Sequence, residues 1–202
     1  MDLCITISGI NWSLTKDVVS IVGTIGALTI GGLGLFTWSR QLRGTSEYEV
    51  AKKAILNTYE VQQALQSVRN PMLYLSKEEV EAGRRLEEEQ RIYSERMTYL
   101  NEKWAELQMV RLEAKVIWGN EAQDSFNEIQ QRIGDLRGAI WLHFWMKGAY
   151  AGPGATVDNS PERVRENDKT VYFTSEEDDF SQKIAESTAK VEKFFGSKVR
   201  TK

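Results

Sequence analysis

Cysteine and histidine are almost missing from this chain: Cys4 and His143 are the only examples. An intramolecular disulfide is therefore excluded. So is a thiolate or imidazole zinc site within one chain, which would need several such ligands. Proline is scarce too, at Pro71, Pro153 and Pro161. Each falls in a gap between helical patterns, as a chain breaker should. No large charge excess exists. The net charge of −3 over 202 residues argues against a nucleic-acid partner, which would call for a basic face. No phosphate-loop, dinucleotide or EF-hand spacing occurs, and no cofactor is expected.

One long segment lacks charge altogether. Val18 to Trp38 reads VVSIVGTIGALTIGGLGLFTW, 21 uncharged residues bounded by Lys16-Asp17 and Arg40. As a helix it would rise about 31 Å, which matches a hydrocarbon core of about 30 Å. Trp38 sits where an interfacial ring belongs. A cleaved signal peptide would have a shorter apolar region and a basic start. The expected arrangement is a membrane helix over 18–38 with residues 1–17 as a short outer tail. Lys16 alone precedes the span, whereas Arg40, Arg43, Lys52 and Lys53 follow it. The positive-inside rule then places the C-terminal part in the cytoplasm. Gly23, Ala27 and Gly31 form a small-residue stripe that would let two such helices pack closely; in a glycine-rich span the spacing also arises by chance. Asn11-Trp12-Ser13 is a glycosylation sequon in an unfavourable place, so close to the span.

Beyond the span the pattern is helical. A first stretch is expected to open after Thr45-Ser46, with Ser46 and Glu49 as a capping box, and to stop at Asn70-Pro71. A long second stretch from Lys77 to Trp118 would start at a Ser76/Glu79 box. Tyr93, Met97, Leu100, Trp104 and Leu107 give it an apolar seam in a four-three rhythm. Glu87, Glu88, Glu89, Arg91, Glu95 and Arg96 are expected on its solvated faces. A third stretch, Glu121 to Lys147, repeats the rhythm at Ala122, Phe126, Ile129, Ile133, Leu136 and Ile140. The short link at Gly119-Asn120 suggests an antiparallel helical hairpin within a domain over 45–147. A linker follows over 148–174, including a β-prone Lys169–Thr174 piece. A final amphipathic helix is expected over 175–196, starting at Ser175 or Asp178 and ending near Gly196. The fold class is all-α.

Trp38, Gln41-Leu42-Arg43-Gly44, Glu47-Tyr48, Val68-Arg69-Asn70-Pro71, Glu113-Ala114 and Trp118-Gly119 carry a resemblance. Over residues 38–147, and more faintly 176–195, the chain resembles a group of bacterial single-pass, membrane-anchored helical proteins with no assigned activity. The resemblance implies a bacterial inner-membrane setting and no site residues.

Individual candidates for chemistry are few. His143 lies among Ile140, Trp141, Phe144 and Trp145, and no partner group is evident in the sequence. That aromatic cluster is expected to be covered by the final helix; membrane or partner contact is the alternative. Cys4 lacks the apolar stretch that precedes a lipidated cysteine. The Glu87–Glu89 and Glu176–Asp179 runs point in different directions and form no cage; the second suits a helix start. The expected function is a non-enzymatic, membrane-tethered module that docks a protein or a second copy of itself through the hairpin seams. The alternatives are an accessory or sensor subunit and, behind it, an enzyme using a carboxylate site.

Overall fold

The computed structural model describes residues 12–150, 152, 154, 156 and 158–200. Cys4, Asn11 and Pro153 lie outside the described residues. The described part is all-helical: α1 Trp12–Val68, α2 Lys77–Glu81, α3 Arg85–Trp118, α4 Asn120–Asp124, α5 Asn127–Met146, α6 Pro161–Val171 and α7 Asp179–Arg200. Two compact units divide it, residues 1–46 and 47–202.

In the first unit, α1 is apolar on every side. From Lys16 onward it includes a window of mean hydropathy 2.0 in which no residue is buried. It is long and apolar enough to cross a membrane. Thr24, Thr29 and Thr37 turn their hydroxyls back to the carbonyls four residues earlier, so these three donors are satisfied within the helix.

The expected helix start at Ser46 is corrected. The α1 backbone stays helical through Thr45 and Ser46. Thr45 does not cap; its Oγ1 bonds the Gln41 carbonyl at 3.0 Å, the back-bonded form of a mid-helix threonine.

In the second unit, the last six turns of α1, α3, α5 and α7 share one core. Val61, Leu65, Leu100, Leu107, Ile129, Leu136, Val191 and Phe195 are all fully buried. Cross-helix bonds set their directions. Lys103 of α3 meets Glu60 of α1 at 3.1 Å, and Arg96 reaches the Val68 and Asn70 carbonyls. Arg137 of α5 meets Asn101, and Arg111 meets Asn127 and Gln130. Tyr59 donates to Glu192 of α7, and Lys190 pairs with Glu128.

Several boundaries differ from the sequence reading. The Lys77–Trp118 helix breaks at Gly83, which adopts φ 77°, a region glycine enters without penalty. The Ser76/Glu79 box is not formed: the Ser76 amide donates to Glu88 instead, and Glu79 pairs with Arg84. The Glu121–Lys147 helix breaks at Ser125-Phe126. The 148–174 linker contains α6, which carries Lys169–Val171 as helix; no strand occurs among the described residues. The final helix runs through Gly196 to Arg200. Its start is capped as expected by Asp178, which accepts the Ser181 amide at 2.7 Å.

The join between α1, α6 and α7 rests on Arg69, a residue for which the sequence pattern implies no role. Its side chain is fully buried. It donates to the carbonyls of Lys169, Thr170 and Tyr172, to Ser181 Oγ and to Asp178 Oδ1. The guanidinium thereby satisfies the orphan carbonyls at the end of α6 and the carboxylate that caps α7. Burial opposes the charge of Asp178, but the Ser181 amide and Arg69 outweigh it and hold the carboxyl at about 2.

Candidate functional site

The end of α5 points His143 into the protein, where it is buried. Asp168 of α6 faces it from one side, with 3.6 Å between Oδ1 and Nδ1. Tyr172, just past α6, faces it from the other, with its hydroxyl 3.4 Å from Nε2. Tyr93 of α3 packs 6.1 Å away, ring to ring. Both partners of His143 come from α6 and the residue that follows it, a helix the sequence pattern did not indicate. Asn167 anchors that helix by donating to the Ala139 carbonyl at 2.9 Å. The expectation that the final helix covers this cluster is therefore corrected: α6 covers it, while α7 meets the other end of α5 through Phe126 and Phe195. Trp141 remains about half exposed and stacks on Trp145 and Tyr150.

Burial is the main force on the titration of the imidazole. It lowers the pKa, and the nearby Lys147 lowers it further, while Asp168 partly opposes them. Burial also raises the hydroxyls of Tyr93 and Tyr172. The imidazole is thus an oriented neutral ring. Its hydrogen-bonding neighbour is a tyrosine that resists ionisation, so no activated nucleophile is built.

Beside this cluster lies an open cleft of about 530 Å³, with Pro71–Leu73 on one side and Arg85, Glu89, Lys147 and Tyr172 on the other. Glu88 and Glu89 were expected on a solvated face; both are buried, a correction with a clear cause. The break at Gly83 lets residues 71–76 fold against the start of α3. Glu88 accepts from Arg91 and from the Ser76 amide, which lower its pKa to about 2. Burial raises Glu89, but Lys147 and Arg85 outweigh it and keep it low. Glu89 is the one carboxylate lining the cleft, and it is salt-bridged. General acid–base chemistry with two carboxylates needs one of them protonated near neutrality, and this arrangement does not provide it. Among the described residues no group of three or more His, Cys, Asp or Glu could hold a metal.

The remaining sequence-derived residues fall in two places. Gly23, Ala27 and Gly31 lie exposed on α1, and a side chain added at Gly23 or Gly31 would meet no atom within 4 Å. Tyr93, Leu100, Leu107, Phe126, Ile129, Ile133, Leu136 and Ile140 are buried, and Met97 and Trp104 are partly buried against the same core. These seams were expected to offer a docking surface. They are covered within the chain, by each other, by α1 and by α7, so any docking surface lies elsewhere. No protein family, curated protein or solved structure matches the chain.

Proposed function

We propose that this chain is a membrane-tethered helical interaction module with a non-enzymatic role. The observation that carries this reading is the apolar stretch of α1, none of whose described residues is buried in the protein. Water does not accommodate such a helix and a bilayer does. By the positive-inside count, residues 1–17 lie outside and the bundle lies in the cytoplasm, at the bacterial inner membrane that the sequence resemblance implies. The antiparallel pairing of α3 with α5 forms the hairpin on which the bundle is built. The bundle's self-sufficient core makes its outer surface, rather than its seams, the place where a partner docks.

Carbonate extraction of membranes tests the tether: the chain stays with the pellet, and release into the supernatant would overturn the proposal. Protease added to inside-out vesicles should then remove the bundle; protection would reverse the topology. Detergent purification tests the docking part, and a chain recovered alone and monomeric would remove it.

One observation favours an accessory or sensor role as a second reading. No proline, positive-φ residue or cap interrupts α1 between Arg40 and Val50, so the backbone is helical from one unit into the next. Leu in place of Gly23, Ala27 and Gly31 should break a membrane-level complex; co-purification left intact would count against this role.

A further inference from the structure

The cleft beside the His143 cluster is walled by two kinds of residue. Met72, Leu73, Leu75 and the Tyr172 ring give it an apolar side, and Arg85, Glu89 and Lys147 give it a charged one. Its volume of about 530 Å³ falls among small-ligand sites, which span about 300–1,000 Å³. The apolar side is held in place by its backbone. The Met72 amide donates to the Asn70 side chain, Arg96 donates to the Asn70 and Met72 carbonyls, and the Ser76 amide donates to Glu88. The Met72 side chain is nevertheless 61% exposed. An unbranched thioether in that position can lie against apolar bodies of varied shape.

On the charged side one carboxylate serves two cations. Glu89 is buried and both its oxygens are taken, Oε1 by Arg85 Nε at 3.2 Å and Oε2 by Lys147 Nζ. Among the described residues Arg85 makes no other bond, so both its Nη groups keep their donors, on a side chain 69% exposed. Two cations less one carboxylate leave the lining with one uncompensated positive charge. Nearby carboxylates are engaged elsewhere: Glu79 with Arg84, Glu88 with Arg91, and Asp168 facing His143. We propose that this cleft binds a hydrophobic monocarboxylic acid, with its carboxylate on Arg85 and Lys147 and its hydrocarbon body against Met72, Leu73, Leu75 and Tyr172. Charge selects the head. A carboxylate matches both the single free charge and the planar guanidinium fork, whereas a phosphate dianion would bring excess negative charge beside Glu89. The wall selects the body, because a wholly polar anion would leave the apolar side of the cleft against water.

The test uses the full chain in bilayer nanodiscs, with empty nanodiscs as the blank. Phenylbutyrate, its neutral amide and inorganic phosphate are titrated by calorimetry and ligand-observed NMR. Phenylbutyrate should bind at a single site per chain, and the amide and phosphate at least about tenfold more weakly. Arg85→Gln removes the free fork, and Met72→Glu sets a like charge on the apolar wall. Each should weaken phenylbutyrate binding at least about tenfold. Met109→Glu, at a methionine equally exposed on α3, should leave it unchanged. Both cleft positions are exposed, so the ligand-free variants should keep the parent's circular dichroism and melting temperature; should one variant lose its fold, the other decides. Equal binding of acid and amide would overturn the charged head, and equal binding of phosphate would overturn the apolar body. Binding retained in the folded variants would place the ligand outside this cleft. Uptake no greater than that of empty nanodiscs refutes the proposal.

Discussion

Two stretches of one helix obey opposite rules. Between Val18 and Leu42, α1 exposes Val22, Leu28, Ile30 and Phe36, each more than 60% accessible, and has no polar face. Between Val50 and Val68 it buries Val61, Leu65 and Val68 completely and turns Lys52, Lys53, Gln63 and Ser67 outward. The backbone is the same. The difference is what each apolar side chain is offered: in the second stretch a stripe meets α3 and α7, and in the first only solvent that is itself apolar would suffice.

Placing or removing a charge breaks this comparison most sharply. Arg69, at the end of the second stretch, is sustained by five oxygen acceptors. Arg69→Ala leaves Asp178 and three carbonyls without their donor and should cost about 3–5 kcal/mol, read by urea unfolding of the detergent-solubilised chain. In the first stretch an arginine would find no acceptor. Leu28→Arg should weaken insertion by about 2.5–3.5 kcal/mol, seen as a drop in the carbonate-resistant fraction, while Leu56→Arg leaves that fraction unchanged.

Apolar truncation sharpens the contrast within the second stretch itself. Leu65 is fully buried, and Leu65→Ala should destabilise by about 2–5 kcal/mol. Leu56, half exposed, should stay within about 0.5 kcal/mol when cut to Ala.

Acid acts on the bundle and spares the uncharged stretch. The buried His143 titrates below the ordinary imidazole value of 6.5, so the unfolded chain binds that proton first. Stability from this group is complete above pH 6.5 and falls as the pH drops below it. Glu88 and Asp178, both held at about 2, contribute stability that is lost between their ordinary values, 4.5 and 3.8, and about 2. Thermal melts across pH should show both losses, and His143→Asn should remove the first. The smallest effect belongs to the exposed Arg84–Glu79 pair, where Glu79→Gln should leave the thermal melt almost unchanged.

Periodicity was a reliable guide wherever one local rule governed. The uncharged run, the four-three positions of α3 and α5 and the Asp178 cap depend on neighbours within a turn or two. The misread places were governed by distant residues. Ser76 and Glu79 have the spacing of a capping box, yet Glu88 takes the Ser76 amide because Gly83 turns the chain back. Glu88 and Glu89 look solvated in a run of three, yet Arg91, Lys147 and the 71–76 segment enclose them. Asp168 and Tyr172 flank His143 only because α6 folds over α5.

The sequence by itself determined that this protein is helical, that one segment suits lipid and that two seams must be buried, because these follow from side-chain polarity repeated at a helical period. Only the tertiary structure decided what buries those seams, where Arg69 finds its acceptors and which carboxylates are enclosed. Those outcomes depend on groups brought together from positions more than a hundred residues apart, as with Arg69 and Ser181, and no local pattern encodes them.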